Sequence, residues 1–143
     1  MYVAIPKEIN SLEPRVAATP GSVKQIIKSG LDVHVESGAG LNSFISDDEF
    51  HNAGAKIINS SKELLSNADI TLKVLPPSNE EIELLKEKSV FVSLCQTTRE
   101  LETVSLLSKK KISAFSMHLI PRTTLAQKMD ALSSQANIAG YKA

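Results

Sequence analysis

A chain of 143 residues suits one domain that buries about two-thirds of the surface its unfolded form exposes. Its 42% hydrophobic and 22% charged residues are ordinary for a soluble globular protein. Sixteen basic residues balance sixteen acidic ones, which leaves no net field to draw the chain to nucleic acid or an anionic membrane; the partner expected is a small molecule or another protein surface.

The N-terminal run "MYVAIPKEIN" has no basic leader and does not read as a signal peptide. No apolar run approaches the roughly 18 residues of a membrane span. A single cysteine, Cys95, excludes an internal disulfide framework and suits a reducing, cytoplasmic compartment.

Strand-like runs and helical patterns then alternate to the end. The strands expected are 2–6 (YVAIP), 32–36 (DVHVE), 55–58 (AKII), 70–74 (ITLKV), 89–94 (SVFVSL) and 112–117 (ISAFSM). Several are apolar nearly throughout, as in a sheet covered on both faces. Thr19-Pro20 opens the first helix and Gly30 closes it, by the usual preference for proline at the start and glycine after the end. Ser46 with Glu49, Ser60 with Glu63, Ser78 with Glu81 and Thr97 with Glu100 read as capping boxes, in which hydroxyl and carboxylate satisfy opposing orphan amides. The lysines at 109–111 fall where a helix ends and its dipole is negative. The alternation predicts an open, mostly parallel α/β sheet with helices on both faces, Rossmann-like or flavodoxin-like.

In such a sheet ligands bind beyond the carboxyl ends of the strands, which singles out five loops. The connection after the first strand, "KEINSLEPRVAATP", carries Lys7, Glu8 and Arg15 and is longer than a plain turn needs; its charges are either solvated or functional. "SGAG" (37–40) lacks the third glycine and the later acidic residue of a dinucleotide fingerprint, so a turn is the plainer reading than a phosphate cradle. Lys73 interrupts the apolar "ITLKVL": it either snorkels to the strand end or serves as a positioned cation or base. Cys95 reads as a small residue at a strand end, with a nucleophile as the alternative. His34, His51 and His118 are isolated and make no metal site.

The last stretch differs. With Thr124 as cap and Gln127 as its box partner, one helix would align Leu125, Met129, Leu132, Ala136 and Ala139 as an apolar stripe. Gln127, Asp130, Ser133 or Ser134, and Asn137 would share an adjoining polar face, short and amide-rich where a merely solvated helix favours Lys and Glu. This divides the chain into an α/β domain over 1–122 and a segment over 123–143 that begins a connecting helix.

The motifs "IPKEI…EPRVAATP", "VESGAG", "AGAKI", "ADITLKVLPP" and "PRTTLAQKMDALSSQANIAGYKA" together resemble the N-terminal part of the alanine dehydrogenase/nicotinamide nucleotide transhydrogenase family, over essentially the whole chain. The resemblance implies that Arg15 and Lys73 correspond to residues that hold the substrate carboxylate and carbonyl in alanine dehydrogenases. Those enzymes place a catalytic histidine after the fifth strand, where this chain reads "SLCQTT"; an imine reductase would then lack its proton donor. The last motif is similar instead to the transhydrogenase branch, in which hydride passes between NADH and NADP+ with coupled proton translocation. That implies Arg122, Gln127, Asp130 and Ser133 as NAD(H) contacts. Asp130 and Ser133 would hold the nicotinamide carboxamide, Arg122 would lie close to the same end, and Gln127 would face an NADP(H)-binding domain.

Hydride transfer needs rings held face to face and no side-chain nucleophile, and a carboxamide is held by carboxylate, hydroxyl and amide groups. No G-x-G-x-x-G occurs in these residues. The resemblance therefore implies a downstream Rossmann domain that grips the nucleotide, an NADP(H) domain, a membrane domain, a homodimer, and a place on the cytoplasmic face of the inner membrane. Two alternatives remain: an amino-acid dehydrogenase using Arg15 and Lys73, and a non-catalytic α/β ligand-binding module, since such sheets host many functions.

Overall fold

In the computed structural model, which describes residues 1–142, every expected strand forms, most of them shortened at one or both ends. They are Tyr2–Ile5 (β1), Asp32–Glu36 (β2), Lys56–Ile58 (β3), Ile70–Leu72 (β4), Val90–Ser93 (β5) and Ser113–Ser116 (β6). All pair in parallel, in the order β3-β2-β1-β4-β5-β6, which is the strand order of the doubly wound dinucleotide-binding fold. The helices are Pro20–Lys28 (α1), Asp47–Asn52 (α2), Ser61–Asn67 (α3), Asn79–Leu84 (α4), Leu101–Lys109 (α5) and Ala131–Lys142 (α6).

Strand alternation sorts the core into two faces. Ile5, Val33 and Val35 pack against Val23 of α1 and Phe50 of α2. On the opposite face Ala4 and Ile58 meet Leu64 of α3, and Phe91 lies with Leu65, Ile82, Leu85, Leu107 and Ile112 beneath α3, α4 and α5. His34 stacks on Tyr2 with ring centroids 4.1 Å apart. Thr19 caps α1 with proline at its start, and Ser46–Glu49 and Ser78–Glu81 form complete boxes. Ser60 accepts from the Glu63 amide without the reciprocal bond. Gly30 follows α1 at φ 87, a conformation that costs other residues strain.

Three expectations fail for physical reasons. Thr97 does not cap α5: the chain turns once more, Glu100 takes the cap position, and its carboxylate is occupied by the Cys95 thiol, whose Sγ lies 2.9 Å away. The final helix does not start at Thr124. Thr124–Met129 winds as a 3-10 helix, and α6 begins after Asp130, which accepts from the Ser133 amide at 2.9 Å and from its hydroxyl. The stripe drawn through Leu125 is therefore broken, and Leu125 is 95% exposed.

The sheet is also not covered evenly. Register places Ile70, Leu72, Val90, Val92 and Phe115 on the face that α1 and α2 cover over β1–β3. The first four are only half-buried and Phe115 is 61% exposed. The crossovers α3, α4 and α5 all lie on the other face, so on this one only the start of α6 approaches, across a gap.

Candidate functional site

The strand order reverses direction between β1 and β4, and their carboxyl ends carry Lys7, Glu8, Arg15 and Lys73. Lys73 follows β4 and is 6% exposed. Its Nζ donates to Glu81 Oε1 at 2.6 Å and Oε2 at 2.8 Å, and Glu8 Oε2 is 3.8 Å away. Glu8 in turn accepts from the Val74 amide at 2.7 Å and the Leu75 amide at 3.3 Å. A lone buried ammonium would be prohibitive; here two carboxylates and one cation leave the cluster with a formal charge of −1. Burial pushes the Glu8 carboxyl up, against the pull of the Val74 amide and of Lys73. Lys73 does not snorkel to solvent: its ammonium is buried against Glu81 and close to Glu8. Glu81 was legible only as half of a capping box, and nothing in the local sequence marks it as the partner of Lys73.

Arg15 is also committed. Its Nε and Nη2 fork onto Glu13 at 2.7 and 2.6 Å, the bidentate geometry that suits a guanidinium. The bond to Arg15 holds the Glu13 carboxyl below its ordinary range. The remaining Arg15 nitrogen, Nη1, reaches Gln135 Oε1 of α6 at 3.4 Å. Neither Glu13 nor Gln135 stood out in the sequence. Between these residues lies a cavity of 590 Å³ bounded by Arg15, Thr19, Lys73, Met117, Ala131 and Gln135 among others. It is the gap between α6 and the half-covered sheet.

Around the same rim, backbone donors that a dinucleotide fold offers to phosphate are taken by the protein's own carboxylates. The Lys7 amide donates to Glu36 at 2.9 Å. The Gly38 amide and Ser37 hydroxyl donate to Asp47 at 2.8 and 2.7 Å, and Val74 and Leu75 serve Glu8. This closes the phosphate-cradle reading of 37–40. The glycines there answer to geometry: Gly38 sits at φ 77, and a Cβ on Gly40 would lie 2.6 Å from the Ile45 carbonyl and 2.7 Å from the Phe50 ring.

Arg122, Gln127, Asp130 and Ser133 fall in one segment after β6. Arg122 and Gln127 are exposed and Asp130 is half-buried. The Ser133 bonds hold the Asp130 carboxyl below its usual range, with a smaller contribution from the Arg122 charge. Ala143, the last residue of that expected segment, lies outside the described residues.

The nucleophile reading of Cys95 fails, since burial and the Glu100 carboxylate push its thiol up to about 12, far from the thiolate a nucleophile needs. Among the described residues no three His, Cys, Asp or Glu side chains cluster as a metal site, and no helix is long and apolar enough to cross a membrane.

Comparison with known proteins bears on this geometry. The family model for the N-terminal domain of alanine dehydrogenase/PNT matches residues 4–139. The chain is 42% identical over 148 aligned residues to an NAD(P) transhydrogenase subunit alpha polypeptide of Rhodospirillum rubrum, covering 100% of this chain and 38% of that protein. It is 34% identical over 140 residues to an alanine dehydrogenase of Methanococcus maripaludis, covering 98% and 37%. Among solved structures it superposes on a transhydrogenase from Sinorhizobium meliloti with a TM-score of 0.96 and 41% identity, over 100% of this chain and 42% of that one. The chain thus spans about two-fifths of these relatives. It belongs to the alanine dehydrogenase/PNT N-terminal domain family.

Proposed function

We propose that this chain forms one wall of the NAD(H) cleft in the NAD(H)-binding component of a proton-translocating NAD(P) transhydrogenase, with the segment from Arg122 to Ser133 facing the nicotinamide. The observation that carries this reading is the pairing of a self-satisfied rim with a polar C-terminal segment. Rim amides of β1, β2 and β4 are occupied by Glu36, Asp47 and Glu8, so the domain keeps few donors for a pyrophosphate. Asp130 and Ser133 carry a carboxylate and a hydroxyl at the start of α6; they bond to each other in the helix cap, but in an exposed setting where a ligand can take over either partner. That donor set suits a carboxamide, which offers two N–H donors and an oxygen acceptor.

In this reading the chain's residues orient and do not react. NADH, when bound, supplies the hydride. Asp130 would accept from the carboxamide nitrogen, Ser133 would turn its hydroxyl from Asp130 to the carboxamide oxygen, Arg122 would support the same end, and Gln127 would look toward the NADP(H)-binding domain. Grip on the rest of the nucleotide falls to a downstream Rossmann domain of the same subunit. The NADP(H) and membrane domains complete the complex, which works as a homodimer at the cytoplasmic face of the inner membrane. Greater identity to the transhydrogenase subunit than to the alanine dehydrogenase favours this reading over pyruvate chemistry, as does Cys95 standing in a fifth-strand loop that holds no histidine.

In the whole protein, Asp130→Asn is expected to slow hydride transfer about 10- to 100-fold, because ring geometry is exacting, while NADH affinity changes far less. Stopped-flow transfer and NADH titration separate the two effects; a wild-type transfer rate refutes the assignment. Turnover of pyruvate, ammonia and NADH by the whole protein would establish the amino-acid dehydrogenase instead. The present chain alone is expected to bind NADH only weakly, and micromolar affinity by calorimetry would contradict its role as a single wall.

A further inference from the structure

Helix α6 is held to the rest of the domain very lightly. None of its described residues is buried. Its side chains bond mostly to its own cap, with Ser133 and Ser134 both turning back to Asp130. Among the described residues, a single hydrogen bond joins it to the body of the domain: Arg15 Nη1 to Gln135 Oε1, at 3.4 Å.

The donor of that bond is unusually well fixed. Two other nitrogens of Arg15 are forked onto Glu13, the Arg15 amide also donates to Glu13 at 3.0 Å, and Glu13 is 8% exposed. Its own amide is tied to the Asn10 carbonyl at 3.0 Å. The fork holds the planar guanidinium against Glu13, and its remaining edge faces α6. Gln135 lies five positions after Asp130, a rise of about 7.5 Å along the helix, so what holds Gln135 also holds the capped first turn. Beneath it lies the 590 Å³ cavity, and the element it meets is the short 3-10 turn Met117–Leu119.

We propose that Arg15 is a positioning residue: through Gln135 it latches α6 to the loop after β1 and so sets where Asp130 and Ser133 stand over the cleft. Neither residue needs to touch nucleotide for this. The role in transfer rests on the nicotinamide reading of Asp130 and Ser133; the latch as a contact does not.

The test uses the full-length protein and two readouts. In Gln135→Leu and Arg15→Leu, amide hydrogen exchange over residues 123–142 is expected to rise about three- to tenfold, and the double variant is expected to be no worse than the worse single, as for one shared contact. Hydride transfer falls about three- to tenfold with NADH affinity within about twofold. Gln135→Glu, whose carboxylate accepts more strongly from a guanidinium, keeps exchange at or below the wild-type level. Exchange unchanged in both single variants, or additive in the double, overturns the latch whatever the transfer rates do. If exchange rises but transfer does not, while Asp130→Asn is slow, the contact positions nothing and the proposal fails with the cleft assignment intact. If Asp130→Asn transfers at the wild-type rate, the cleft assignment has failed and exchange alone decides the latch.

Discussion

The two halves of the sheet are built to different standards of closure. Over β1–β3, helices cover both faces, the rim amides are bonded to carboxylates, and Gly40 lets two loops close to contact distance. Over β4–β6 one face is packed while the other shows half-buried valines and isoleucine, an exposed Phe115 and a cavity roofed by a loosely held helix. The closed half does the work of a scaffold. The open half has apolar surface and exposed polar groups, as the cleft wall proposed above requires.

The contrast can be broken most severely where the halves join. Lys73→Ala leaves Glu8 and Glu81 buried without their cation, and the whole protein should lose about 3–5 kcal/mol in chemical denaturation; a loss under about 1 kcal/mol would mean that the cluster is solvated. Gly40→Ala tests the closed half. Its Cβ meets a backbone oxygen and a buried ring, and overpacking of that kind costs about 1–3 kcal/mol, whereas Gly140→Ala on α6, with open space around it, should stabilise slightly.

The smallest effect is one of pH. Glu13 has a lowered carboxyl, so its ion pair with Arg15 contributes stability above the ordinary glutamate range and loses it as pH falls through the lower folded value. Glu8, with a raised carboxyl, contributes in the opposite sense, gaining as pH falls through its folded value. Glu13→Gln should therefore flatten the acid limb of the stability profile, measured as denaturation midpoint against pH. An unchanged acid limb would show that the fork is as strong in the unfolded chain as in the folded one.

Much of the closed half was legible because its signals are local. Strand alternation, Thr19-Pro20, Gly30 and the Ser46 and Ser78 boxes each involve residues within a few positions of one another. The errors arose where a distant or competing partner outbid a local one. Glu100 was drawn off by the Cys95 thiol, and Asp130 captured the cap that Thr124 was expected to supply. Glu81 serves its local box with Ser78 while also answering to Lys73, and no spacing rule joins those two roles. Arg15 could be chosen from sequence, but Gln135 could not, since 120 positions separate the bonded pair. The uneven cover of β4–β6 was invisible because the side on which a crossover helix lies is decided by topology, and both sides accept the same valines.

The Glu8 carboxylate also has a meaning in time. It closes on the Val74 amide across 66 positions, and β1, made first, borders a strand that begins only at Ile70. On a ribosome adding roughly 5–20 residues per second, the central strand must wait several seconds with one edge unpaired. Its other edge can zip to β2 as soon as Asp32–Glu36 has emerged. The β1–β3 layer can thus assemble while the rest is still being synthesised. Glu8 then acts as the clasp that admits the second layer, and a slow or failed closure there would leave a half-sheet with a bare apolar edge, the species most prone to misassociation.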